Sequence, residues 1–224
     1  MRNFIIQIFK KNTSEKKSNS RKIFTEIFVK NIWNSDESYS GTGSTIDQTK
    51  IVRQQLEYIL DKYQIKSMLD IPCGDFNWMQ KVKLDSIQYV GADIVKPVIK
   101  LNNKKYKHLP NFSFHNLDIT KDKLPKVDLV FVRDCFVHLS YCEINQAINN
   151  IKKSNSKYLL TTTFVDRKSN EDSELGGWRT LNMQIEPFNF PKPILHINEE
   201  CTEGDGDYND KSLGLWLIDE LKHQ

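Results

Sequence analysis

Four aspartates, Asp70, Asp93, Asp118 and Asp134, stand at or just after short apolar runs of the chain, and His138 follows the last of them closely. Residues of these types at run ends can bind hydroxyls and move protons. An acid closing a second strand can accept hydrogen bonds from both vicinal hydroxyls of a ribose, and Asp93, 23 residues beyond Asp70, fits that task. A turn-initiating Asp accounts for the same residue equally well. Asp134 and His138 suit proton transfer: Asp134 abstracts the proton or orients His138 to do so, the alternative for His138 being a packed loop histidine. The first run is followed by a single glycine, Gly74, where a dinucleotide fingerprint has three. Phe76 is expected to crowd a pyrophosphate there. Both features favour a nucleoside without phosphates, a sulfonium nucleoside, over NAD.

The elements that must position these residues alternate along the chain. Apolar runs at Ser67–Ile71, Gln88–Asp93, Phe112–Asn116, Val127–Val132 and Lys157–Thr163 are separated by polar or helical stretches. That pattern predicts βαβ units in a parallel sheet covered on both faces. In such sheets ligands bind outside the carboxyl ends of the strands, where the aspartates fall. Ser140 and Glu143 form a capping box that opens a helix to Lys153; Thr45 and Gln48 are read as another, opening a helix whose stripe is Ile51, Val52, Leu56, Ile59 and Leu60. Pro193–Ile197 and Ser212–Ile218 predict an antiparallel hairpin at one sheet edge. Ile23, Phe24, Ile27 and Phe28 share one face of a short helix ending near Trp33. The expected organisation is a basic flexible tip over 1–22, a helix and loop over 23–44, and one α/β domain over 45–224.

Composition excludes several classes. With 38% hydrophobic and 27% charged residues and only 9 Gly and 7 Pro in 224 residues, the chain is neither collagenous nor wholly disordered. The net charge of +3 is uneven: residues 1–22 carry +6, so the remainder sums to −3. A body of that sign is a poor counterion for nucleic acid, and no nucleic-acid partner is expected. The basic tip, with Phe4, Ile5, Ile8 and Phe9, offers weak peripheral membrane contact or is a frayed terminus. Cys73, Cys135, Cys142 and Cys201 lack metal spacing and read as reduced thiols of a cytoplasmic protein. The run Asp205–Asp210 begins like a calcium loop, but Asp210 and Trp216 stand where glycine and glutamate are required, so no metal is expected.

Met68-Leu-Asp-Ile-Pro-Cys-Gly-Asp75, Tyr89-Val-Gly-Ala-Asp-Ile94, Asn116-Leu-Asp-Ile119 and Asp128-Leu-Val-Phe-Val-Arg-Asp134 follow the order of the motifs of class I S-adenosylmethionine-dependent methyltransferases, which the chain resembles. The run Pro72–Met79 is similar to a bacterial and viral subgroup whose genes often occur among those for surface polysaccharides. Ser40–Ser44, Gly176–Arg179, Pro187–Pro191 and Asp210–Trp216 share that likeness, which covers about residues 38–220. It implies a seven-stranded, mostly parallel Rossmann-like sheet and the cofactor S-adenosyl-L-methionine. Asp70, Pro72, Cys73 and Gly74 would line its methionine end, Cys73 through backbone and packing. Asp93 would hold the ribose, Ile94 is also carried over as cofactor-binding, Leu117 and Asp118 would meet the adenine, and Arg133 and Asp134 would sit under the methyl group. Pro72 and Phe76 replace glycines common in the broader family.

The implied reaction is methyl transfer to a small or carbohydrate acceptor, a sugar hydroxyl in surface-polysaccharide synthesis being the subgroup's suggestion. Oxygen and nitrogen nucleophiles are both compatible with these residues. Ser44, Trp178, Arg179 and Asn182 are expected on the acceptor side, Trp178 stacking on a sugar face and Arg179 pairing with a phosphate or carboxylate, although a structural loop staple explains the last three equally. Ser40–Ser44 closes over the cofactor carboxylate or a substrate phosphate, or is an ordinary linker. A nicotinamide-dependent sugar oxidoreductase is disfavoured by the missing glycines and by the lack of a Tyr-x-x-x-Lys pair. A non-catalytic cofactor-binding scaffold for a partner enzyme is the third reading.

Overall fold

The computed structural model describes residues 20–222, so nearly all of the basic tip lies outside the described residues. Seven strands form one sheet: β1 (Ser67–Asp70), β2 (Gln88–Ala92), β3 (Phe112–His115), β4 (Leu129–Val132), β5 (Tyr158–Phe164), β6 (Leu195–Asn198) and β7 (Lys211–Leu217), in the order β3-β2-β1-β4-β5-β7-β6. β1 to β5 pair in parallel, and β7 runs antiparallel to both β5 and β6. The order reverses between β1 and β4, so the carboxyl ends of these central strands flank a crevice at the switch point.

The middles of the central strands are apolar because both faces are covered. Their alternation sorts the side chains: Met68, Leu129, Phe131 and Leu160 join the core on one face, and Leu69, Val130, Val132 and Leu159 the core on the other. Helices α2 (Lys50–Lys62) and α3 (Lys96–Tyr106) cover the first face through Val52, Leu56, Ile59, Val98 and Ile99. Helix α4 (Tyr141–Lys153) covers the second through Ile144, Ala147, Ile148 and Ile151. No helix among the described residues is long and apolar enough to cross a membrane.

The capping box at Ser140 is present, with Glu143 returning a carboxylate to the Ser140 amide at 3.1 Å. The one read at Thr45 is absent. Thr45 Oγ1 accepts the Gln48 amide at 3.3 Å within a turn, the Gln48 side chain bonds Thr202 at 2.6 Å instead of returning to Thr45, and α2 begins only at Lys50. The first helix, α1 (Ser20–Val29), stops short of Trp33; turns carry the chain from it to that residue.

Candidate functional site

The turn after β1 is the floor of the site. Gly74 (φ 53°) and Phe76 (φ 60°) are both left-handed, which folds the chain back on itself at the strand's end. Asp93 locks this turn: its Oδ2 accepts the Gly74 amide at 3.1 Å and its Oδ1 the Val95 amide at 2.8 Å. Asn102 of α3, unremarked in the sequence, donates to the Gly74 carbonyl at 2.8 Å. Phe76 does not crowd the turn as expected. It is buried among Tyr89, Tyr106, Phe112 and Phe114, its left-handed backbone directing the ring into the core.

Around this turn lies a cleft of about 1200 Å³ including its open mouth. Asp70, Pro72, Cys73, Gly74, Asp93, Ile94, Leu117, Asp118, Arg133, Asp134, His138 and Ser44 all line it, so the ends of β1 to β4 bring most of the expected residues together. Aromatic residues not expected at the site also line it. Phe24 and Phe28 of α1, with Trp33, close one side, and Trp78 lies below Arg133, whose guanidinium stands 5.7 Å from its ring centre. Ser38 Oγ and the Tyr39 amide bind the Asp75 carboxylate at 3.0 and 2.9 Å, and this holds the Ser38–Ser44 strap across the Gly74 turn.

The acids differ in charge state because their surroundings differ. Burial pushes Asp70 up to about 7, despite the Tyr89 hydroxyl that donates to it at 2.5 Å. Burial likewise raises Asp93 to about 6 against its two amide donors. Asp118 goes the other way: burial is outweighed by Lys121 at 2.8 Å and by Thr120, whose hydroxyl donates at 2.6 Å. Asp134 is held down at about 2, because Lys211 (2.7 Å) and Arg133 (3.3 Å) overcome the effect of burial. Burial keeps His138 below its ordinary value. Its Nδ1 lies 2.7 Å from the Gly177 carbonyl, which can only accept, so the proton sits on Nδ1 and Nε2 keeps its lone pair. Trp33 is tilted against the imidazole at 5.0 Å between ring centres.

Three expected acceptor residues lie outside the cleft. Arg179 donates to the carbonyls of Phe136 (2.9 Å) and Glu171 (3.2 Å), stapling the loop to the turn that carries His138. Asn182 is buried and donates to the carbonyls of Val165 and Arg167. Trp178 is exposed and meets Phe164 and Tyr208 edge-on. Asp210 is engaged by Arg167 at 2.6 Å, and the described residues contain no cluster that could hold a metal ion.

Neither a protein-family model nor a curated protein matches the sequence. Solved structures do match in fold. The N-methyltransferase NodS from Bradyrhizobium japonicum WM9, in complex with S-adenosyl-L-homocysteine, superposes with a TM-score of 0.62 at 13% identity, over 86% of this chain and 97% of NodS. A second NodS structure gives 0.56 at 17% identity, over 76% of this chain and 96% of that one. Strand order, antiparallel edge and these superpositions agree: the chain has the class I S-adenosylmethionine-dependent methyltransferase fold.

Proposed function

We propose that this protein transfers a methyl group from S-adenosyl-L-methionine to a hydroxyl of a small or carbohydrate acceptor. The observation that carries this reading is the lining of the cleft: Asp70, Asp75, Asp93, Asp118 and Asp134 face it, Lys121 and Lys211 offset only Asp118 and Asp134, and the one arginine, Arg133, is itself paired with Glu199 at 2.7 Å. An acidic lining suits a cationic sulfonium and repels a pyrophosphate. That repulsion, and not crowding by Phe76, disfavours NAD.

The donor set fits the cofactor. Each Asp93 oxygen takes one backbone amide and keeps a lone pair for a ribose hydroxyl. Ile94, Val95, Leu117, Ile119 and Leu139 offer apolar surface for an adenine, beside Asp118. When bound, S-adenosyl-L-methionine supplies an electrophilic methyl on sulfur. The protein's task is then to hold the acceptor in line and receive its proton. His138 suits that role, since Nε2 is unprotonated near neutral pH and faces no competing partner among the described residues. Asp134 is already ionised and spent on two cations, so it acts as a fixed charge. The carbohydrate acceptor, and a role in surface-polysaccharide synthesis, rest on the likeness of Pro72–Met79 to its subgroup.

Thermal unfolding with S-adenosylhomocysteine, and separately with NAD, tests this. A ligand at ~100 times its Kd adds about 2.7 kcal/mol, roughly 5–10 °C in Tm for a chain of this size. A shift with S-adenosylhomocysteine alone is the expected result. A shift with NAD alone restores the oxidoreductase.

A further inference from the structure

Lys211 opens β7 and places a buried ammonium beside Asp134, which lines the cleft. Its side chain is 7% exposed, and Nζ lies 2.7 Å from Asp134 Oδ2 and 3.7 Å from Glu199 Oε2. Arg133, leaving β4, completes a square: Nη1 is 3.3 Å from Asp134 Oδ2, and Nη2 is 2.7 Å from Glu199 Oε2. Asp134 Oδ2 thus takes both cations. From β5, Thr162 Oγ1 accepts the Asp134 amide at 2.8 Å and so holds a backbone at φ 50° that a non-glycine residue seldom adopts. From the strap, Gly43 presses against the group: a Cβ there would lie 3.0 Å from Glu203 Oε2 and 3.8 Å from Asp134 Oδ2. His138 faces Asp134 from the turn Phe136–His138, with Arg179 and Lys211 as the cations that act on it.

Buried charges persist only when matched, and removing one partner leaves the other uncompensated. Without Lys211, Asp134 and Glu199 would share Arg133 alone. We propose that Lys211 is a positioning residue for methyl transfer: it fixes Asp134 as a carboxylate beside the acceptor and leaves His138 Nε2 as the group that takes the acceptor's proton. This role rests on the methyl-transfer reading. His138 Nε2 receives the hydroxyl proton as the acceptor oxygen bonds to the methyl carbon; the methyl–sulfur bond breaks with its electron pair going to sulfur, and the imidazolium later releases the proton to solvent.

The test follows Asp134 and His138 by NMR in the full chain, with 13C-labelled aspartate and histidine, in the wild type, Lys211→Met and Lys211→Arg. S-adenosylhomocysteine is titrated calorimetrically into the same samples. In the wild type and Lys211→Arg, the Asp134 carboxyl signal is expected to stay flat between about pH 4 and 8, a window above the ordinary aspartate range. In Lys211→Met a titration step enters that window, at least two pH units above the wild-type value of about 2 and so at least a hundredfold change in proton affinity; the His138 titration moves with it, and S-adenosylhomocysteine still binds. Identical Asp134 behaviour in all three proteins, with S-adenosylhomocysteine bound, overturns the role of Lys211 alone. A wild type that does not bind S-adenosylhomocysteine overturns the methyl-transfer reading and this role with it. If Lys211→Met does not fold, Asp134→Asn probes the pair from the other side: the Lys211 15Nζ signal is expected to shift and exchange faster, and an unchanged signal overturns the pairing.

Discussion

The Asp93 carboxylate accepts the amide of Gly74 across 3.1 Å, so the acid ending β2 shapes the turn that ends β1. One side chain thereby builds the site and presents lone pairs to it. Asp93→Asn would set an amide donor against the Gly74 or Val95 N–H. Leaving a buried donor unsatisfied costs about 1–3 kcal/mol. S-adenosylhomocysteine affinity is therefore expected to fall by roughly 10- to 100-fold, together with a lower Tm of the free protein, when read by calorimetry and thermal unfolding. Full affinity in a well-folded variant would remove Asp93 from the ribose site.

On the proposed mechanism, His138 gives the reaction its pH dependence. Its neutral form would be the proton acceptor, and burial lowers its pKa from 6.5. Turnover is therefore expected to be full above that lowered pKa and to fall as pH drops through it. His138→Gln keeps size and polarity but not basicity; kcat should drop by ~10²–10⁴-fold with cofactor affinity unchanged. A rate that keeps its acid limb in His138→Gln would move the proton elsewhere.

Asp70 links stability to pH with a definite sign. Its folded value of about 7 stands above the ordinary 3.8, so between those values the folded state holds more protons than the unfolded chain. Stability is therefore expected to fall as pH rises through that window, and Asp93, raised to about 6, adds in the same direction. Asp70→Asn removes the buried charge. The free variant should gain on the order of 2 kcal/mol above pH 7 and lose part of the wild type's pH slope. Thermal unfolding at about pH 5 and pH 8 reads both effects, and a variant no more stable than wild type at the higher pH would refute the assignment.

The sheet was legible because its strands are short apolar runs ending in acids, and periodicity with run-end chemistry survives in one dimension. What sequence could not convey was partnership between distant elements. Lys211 stands just before the run Ser212–Ile218 that reads as a hairpin strand; only the antiparallel pairing of β7 with β5 brings it to Asp134. Thr45 and Gln48 have the letters of a capping box, yet Gln48 is taken by Thr202, 154 positions away. Phe76 was misread because its φ of 60° reverses the direction a side chain would otherwise take after Gly74. The aromatic cover from α1 was hidden for the same reason as Lys211: an amphipathic stripe announces a buried face but not what it faces.

Arg179 separates a structural staple from an acceptor ligand. Its guanidinium donates to the Phe136 and Glu171 carbonyls and lies 5.8 Å from the centre of the Tyr141 ring, outside the cleft. Phe136 begins the turn that ends at His138, so the staple holds His138 only indirectly. Losing two bonds from a charged, partly buried donor is worth about 2 kcal/mol. Arg179→Ala should then lower Tm by roughly 4–8 °C at this chain length. S-adenosylhomocysteine affinity should not change, because no cofactor-side residue is touched. Trp178→Ala is the control: its exposed ring gives up only edge contacts with Phe164 and Tyr208, so the Tm change should be smaller. An Arg179→Ala protein of wild-type Tm would mean that the guanidinium is free of its staple, and would return it to the acceptor side as an anion-binding group.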